Sequence, residues 1–276
     1  MINVKQFLQN INFNPSKKMG QNFLINDQVI QSICNHFPHF KNYNSIIEIG
    51  PGLGAITSFL VKTNKKIVAV ELDKRLYDYL HKTFSHYHNL KLINNDFLEL
   101  DLNNQEICPP NTLIFANIPY SITSPIILKC LASSNIKTLY IMLQKEVADK
   151  WNYKLTSNRN AFSNIIKYYY ELIKVLDIKK TAFFPMPKVD SIMVILDKKT
   201  NEKYDSNFFR FVQMFFTHKR KKIINNIPFC INKKNFILLL IKLGYDINIR
   251  PEVLTCNDWK WLYDNLKNEI KSICKD

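Results

Sequence analysis

The chain is short of acidic side chains, paired cysteines and long apolar runs, and each shortage closes off a class of function. Across 276 residues, 23 aspartates and glutamates face 38 lysines and arginines, a formal net charge of +15. Such an excess calls for an anionic partner. No apolar stretch approaches the roughly 18 residues that span a bilayer, so nucleic acid is favoured and no membrane partner is expected. Abundant lysine, asparagine and isoleucine also fit nucleotide bias in the gene, which raises the charge without a functional cause. The six cysteines (Cys34, Cys108, Cys130, Cys230, Cys256 and Cys274) include no C-x-x-C pair and no histidine at ligand spacing. Neither a disulfide framework nor a metal site is expected, and the thiols read as reduced. The first 21 residues lack a positive-then-apolar signal layout, which points to the cytoplasm. There is no internal repeat or low-complexity tract. With 46% hydrophobic residues, the chain can build one large α/β domain and a small appendage.

Short β-rich runs at residues 45–49, 66–71, 90–93, 112–116, 138–143, 172–178 and 191–196 alternate with helical patterns. The alternation predicts a doubly wound α/β sheet. Only residues 179–190 separate the last two runs, too few for a crossover helix, so an antiparallel hairpin at one edge is expected. A Rossmann-like parallel sheet closed by a reversed edge strand resembles the class I methyltransferases. Past residue 196 the composition turns polar, then helical at 208–217, 219–226, 234–243 and 258–270. These patterns divide the chain into an α/β domain, 1–198, and a small all-helical C-terminal domain, 199–276.

Glycine is scarce, with five residues, yet Gly50, Gly52 and Gly54 fall together in Glu48-Ile49-Gly50-Pro51-Gly52-Leu53-Gly54-Ala55. The segment follows one β-rich run and precedes a helical pattern, so Gly50 and Gly52 can bring the backbone close to a ligand. Glu71 ends the next run, where a carboxylate can accept both ribose hydroxyls of an adenosine-containing cofactor. Asp96 ends the third run in the same way and can meet an adenine amino group. The fingerprint alone fits S-adenosylmethionine or NAD, and a tight turn with solvated strand ends is the bland alternative.

Residues 117–120 read Asn-Ile-Pro-Tyr after the apolar run 112–116. The Asn117 side-chain oxygen and a backbone carbonyl freed by Pro119 can accept the two N–H bonds of an exocyclic amine, while Tyr120 stacks on the base. An ordinary strand-to-loop turn is the competing reading.

The chain resembles the ribosomal RNA adenine N6-dimethyltransferases, most closely the small-subunit type. The matching stretches are Lys18-Met19-Gly20-Gln21-Asn22-Phe23-Leu24, the glycine segment, Val70-Glu71-Leu72-Asp73, Asn95-Asp96, Asn117-Ile118-Pro119-Tyr120, Gln144-Lys145-Glu146-Val147-Ala148 and residues 182–191, Ala-Phe-Phe-Pro-Met-Pro-Lys-Val-Asp-Ser. By that resemblance Asn22, Leu24, Gly50, Glu71, Asp96 and Asn117 contact S-adenosylmethionine, and Asn117, Tyr120 and Phe183 form the target-base pocket. On residues alone, Asn22 reads as a helix cap and Phe183 as core. Ile178-Lys179-Lys180 departs from the family's usual Val-Pro-Pro, and Ile118 is more common in the large-subunit, antibiotic-resistance enzymes. Asp190 and Arg250-Pro251-Glu252-Val253-Leu254 favour the small-subunit group. The expected substrate is ribosomal RNA in the immature small subunit, and a monomer is expected. The basic cluster His218, Lys219, Arg220, Lys221 and Lys222, with Lys233 and Lys234, is expected to grip phosphates, against the alternative of a solvated helix face. Large-subunit methylation and a noncatalytic assembly factor are the competing functions.

Overall fold

The computed structural model describes residues 8, 13–16, 19–37, 42–118, 122–151, 159–199, 203–218 and 220–270. The described chain divides into two compact units. The first comprises Met1–Ala148 and Leu172–Lys198, the second Asp149–Glu171 and Lys199–Asp276. The sequence pattern assigns residues 149–171 to the α/β domain; by contacts they belong with the helical unit.

In chain order the first unit carries β1 (Phe23–Leu24), α1 (Asp27–Asn35), β2 (Ser45–Ile49), α2 (Thr57–Leu60), β3 (Lys66–Glu71), α3 (Lys74–Phe84), β4 (Leu90–Asn94), β5 (Thr112–Ala116), α4 (Thr123–Ala132) and β6 (Ile136–Gln144). The chain continues with α5 (Lys145–Trp151) and with α6 (Ala161–Tyr169), whose residues belong to the second unit, then β7 (Tyr170–Ile178), β8 (Phe183–Phe184) and β9 (Ser191–Lys198). Seven strands form one sheet in the order β4-β3-β2-β5-β6-β9-β7. Those from β4 to β6 are parallel, and β9 runs antiparallel to β6. The two strands expected as an edge hairpin are neighbours there, with β7 outermost and the reversed strand β9 one place in.

Every residue of β2 and β5 is buried, as expected of central parallel strands covered on both faces, which explains their unbroken apolar runs. On one face Phe37 stacks on Phe115 at 5.4 Å and meets Tyr140 edge-on at 4.8 Å. The strand ends are level: Ile49 pairs with both Val70 and Ala116, and Glu71 with Asn94. The loops leaving β2, β3, β4 and β5 therefore emerge at one edge, where parallel α/β sheets place their ligands.

The second unit adds α7 (Ser206–Phe215), α8 (Lys233–Lys242) and α9 (Cys256–Ile270) around an aromatic core. Phe215 stacks on Phe236 at 4.9 Å, and Phe211 meets Trp259 edge-on. Asp205 caps α7 and accepts the Tyr263 hydroxyl at 2.7 Å. The Arg159 guanidinium donates to the Val253 carbonyl at 3.0 Å, anchoring the short 3-10 turn Pro251–Val253. The helix expected over 219–226 is reduced to a single 3-10 turn, Ile223–Asn225. Its physical reason is Asn226, whose side-chain amide donates to the carbonyls of His218, Lys221 and Lys222 and so competes with helical pairing.

Candidate active site

A cavity of about 460 Å³ opens at the level strand ends of the first unit. Its floor is the loop after β2, in which Gly50, Gly52 and Gly54 all have positive φ. A Cβ at Gly52 would lie 3.1 Å from the Phe23 ring, and one at Gly54 only 2.5 Å from Phe84. No larger residue fits these positions without displacing an aromatic side chain.

Glu71 closes β3 beside this loop and is 6% exposed. One of its oxygens accepts the Gly52 N–H at 3.0 Å and the other the Asp73 N–H at 2.9 Å. Burial pushes its carboxyl up, and these two N–H donors partly oppose that. Each oxygen keeps a further acceptor site for a ligand hydroxyl. Asp96 lines the same cavity; its Oδ1 accepts the Leu98 N–H at 2.8 Å, capping the turn Phe97–Glu99.

The other wall joins two distant stretches of sequence. β1 and β8 pair antiparallel, with Leu24 opposite Phe183 and Phe23 opposite Phe184, and the Ile25 N–H donates to Ala182 at 2.9 Å. This ribbon seats Leu24 and Phe183 in the core and along the cavity. Phe183 is thus core and wall together. Asn22, which precedes the ribbon, donates to the Gly20 carbonyl at 3.0 Å and also lines the cavity. It is not a helix cap: α1 is capped by Asn26, whose side chain accepts the Val29 N–H. Asn117 leaves the end of β5 half-buried and lines the cavity with Ile118. Pro119, Tyr120 and Lys219 lie outside the described residues. Arg220, Lys221 and Lys222 are exposed in the second unit, where Lys222 Nζ donates to Asn248 at 2.7 Å.

The structure adds residues that motif spacing does not single out. Glu48, in the middle of buried β2, accepts the Thr57 hydroxyl at 2.7 Å. Burial pushes its carboxyl up to about 8, so it is largely protonated at neutral pH. Ser16, Met19, Gly20 and Gln21 line the cavity from the N-terminal side. Their signal was the Lys-Met-Gly-Gln run ahead of Asn22, which carries no chemistry until the chain folds back. A buried carboxylate beside close-approach glycines, with apolar walls from Ile49, Leu53 and Phe97, fits a ribose with an attached base, which S-adenosylmethionine carries. Among the described residues no group of three or more His, Cys, Asp or Glu is placed to hold a metal ion, and no helix is long and apolar enough to cross a membrane.

The fold is similar to a dimethyladenosine transferase from Plasmodium falciparum, with TM-score 0.73, 24% identity, and coverage of 90% of this chain and 98% of that one. A ribosomal RNA small subunit methyltransferase A from Ureaplasma urealyticum is 37% identical, over 90% of this chain and 91% of its own length. The protein of that name from Natranaerobius thermophilus is 33% identical, over 97% of both. The model of the ribosomal RNA adenine dimethylases matches residues 12–260, and the chain belongs to that family.

Proposed function

We propose that this chain transfers methyl groups from S-adenosylmethionine to N6 of adenosines in small-subunit (16S) ribosomal RNA, giving N6,N6-dimethyladenosine at two adjacent adenosines near the 3′ end. We place this work in the cytoplasm, on the immature subunit, by a monomer. The observation that carries the reading is the single cavity that gathers Glu71, the glycine loop, Asn117 and Phe183. The small-subunit name of the relatives supports that substrate over large-subunit RNA.

S-adenosylmethionine, when bound, supplies an electrophilic methyl group. Glu71 would hold its ribose hydroxyls, the backbone at Gly50 and Gly52 would lie against it, and Asp96 would meet its adenine amino group. Asn22 and Leu24 would close the site from the ribbon side. The target adenine is flipped out of the RNA, at a cost of a few kcal/mol. Its N6 is a poor nucleophile because the lone pair is delocalised into the ring. The Asn117 side-chain oxygen and a backbone carbonyl freed by Pro119 accept the two N6–H bonds and favour a pyramidal, reactive nitrogen. Phe183 and Tyr120 hold the ring in line for transfer. No general base is required, since the alkylated nitrogen becomes acidic and loses its proton afterwards, and so a neutral amide serves where a carboxylate is absent. Arg220, Lys221 and Lys222, together with Lys219, contribute phosphate contacts.

The test is incubation with labelled S-adenosylmethionine and, separately, unmodified immature small and large subunits, followed by nucleoside analysis. Dimethyladenosine in small-subunit RNA alone is the expected result. Label in large-subunit RNA would move the chain to the resistance enzymes, and cofactor binding without transfer would make it an assembly factor.

A further inference from the structure

Next to Glu71 in the chain lies a polar cluster that the transfer chemistry does not use. Asp73 follows Glu71 by two residues and is 5% exposed. Its Oδ1 accepts from the Arg75 backbone N–H and from Arg75 Nε, both at 3.0 Å. Its Oδ2 accepts from Arg75 Nη2 at 2.7 Å and from Gln21 Nε2 at 2.9 Å. Capping α3 needs only the first of these bonds. Of the other three, two come from the Arg75 guanidinium and one from Gln21 in the N-terminal segment.

That segment is closed on itself around Gln21. The Ser16 N–H donates to Gln21 Oε1 at 2.7 Å, and the Gln21 N–H returns to the Ser16 carbonyl at 3.2 Å. Arg75 completes the attachment, with its guanidinium 4.3 Å from the Phe13 ring centroid. Phe13 in turn packs edge-on to Phe23 at 6.0 Å and is buried with Leu8 and Leu76. Meanwhile the Asp73 N–H donates to Glu71. Asp73 therefore touches the Glu71 carboxylate through its backbone and the segment that lines the cavity through its side chain.

We propose that Asp73 is a positioning residue that latches residues 13–16 and 19–24 over the S-adenosylmethionine cavity through Gln21 and Arg75. The latch sets how much of the protein is closed and competent to hold cofactor. It rests on the reading that this cavity takes S-adenosylmethionine. A buried carboxylate is costly unless fully paired; Arg75 supplies three of the donors to Asp73, and the fourth, from Gln21, is present only when the segment is in place. When the latch is lost, the closed population falls and apparent affinity falls in proportion, while the closed form that remains is unchanged.

The experiment is titration calorimetry with S-adenosylmethionine on the full chain and on Asp73→Ala, Gln21→Ala and the double variant, with amide hydrogen exchange of residues 13–16 and 19–24. Gln21→Ala leaves the Asp73 cap and the Arg75 bonds in place, so it tests the latch in a protein whose α3 cap is intact. Each single variant is expected to bind about tenfold more weakly, with faster exchange in 13–16 and 19–24 already in the absence of cofactor, which loss of a direct cofactor contact alone would not produce. The double variant is expected to bind no more weakly than the weaker single. Multiplied effects in the double would mean that Gln21 and Asp73 act separately and would overturn the latch. Unchanged affinity and exchange in Gln21→Ala would overturn it as well. Failure of the unaltered chain to bind would instead defeat the cofactor reading, and the latch with it.

Discussion

Asn117 and Glu48 stand at the ends and middles of adjacent strands, and their environments assign them opposite tasks. Asn117 is half-buried at a cavity wall, where a neutral acceptor can meet an amine without the cost of burying a charge. Asn117→Ala is expected to lower the rate of transfer about a hundred- to a thousandfold while circular dichroism stays that of the folded chain; normal single-turnover rates would remove Asn117 from the pocket. Glu48 meets the Thr57 hydroxyl within the buried sheet, and burial holds its carboxyl near 8. A carboxyl raised in the folded state favours folding most below its unfolded value, about 4.3, and that favour is lost as pH climbs from there through about 8. Stability should therefore fall between pH 5.5 and 8.5 by more in the unaltered chain than in Glu48→Gln, whose side chain stays neutral. Urea midpoints at the two pH values decide it: equal slopes would mean that Glu48 does not titrate in this window.

At the scale of elements, the glycine loop and α3 fit each other through one close approach. Gly54 has φ +80, and a Cβ there would come within 2.5 Å of Phe84, the last residue of α3, itself only 8% exposed. Gly54→Ala combines a left-handed backbone with a clash against a side chain that has little room to move. The expected loss is about 1–3 kcal/mol in urea unfolding; a loss of a few tenths would show that Phe84 turns aside freely. The parallel strands were legible in the sequence because strands buried on both faces read as continuous Ile, Val and Leu runs, punctuated by the glycines and acids at their ends. β1 and β8 were not, because a two-residue strand has no period to detect. Their pairing is what brings Leu24 to Phe183, so those two residues joined the candidate site through family resemblance and not through pattern. The hydrogen bond between Gln21 and Asp73 was hidden for the same reason, since its partners are 52 positions apart. The region 219–226 misled for a different reason: it holds no proline or glycine to stop a helix, but the Asn226 amide takes carbonyls a helix would use.

At the scale of the whole molecule, a net charge of +15 favours any polyanion and is not by itself an address. Specificity has to come from where the charges are held. The Asn226 amide bonds the backbone carbonyls of His218, Lys221 and Lys222, which ties down the backbone that carries the exposed Arg220, Lys221 and Lys222. Cations held at fixed spacing match a particular run of phosphates, and each phosphate they neutralise releases counterions on binding. Replacing Arg220, Lys221 and Lys222 with serine should weaken binding to immature small subunits. It should also reduce the slope of log affinity against log salt by about one for each phosphate that is no longer neutralised. S-adenosylmethionine affinity should not change, because the residues that line its cavity all belong to the other unit. Filter binding across a salt series, with calorimetry on the same variant, separates the outcomes. A reduced slope with intact cofactor binding makes the loop a phosphate grip, and an unchanged slope returns it to a solvated surface whose charge reflects composition alone.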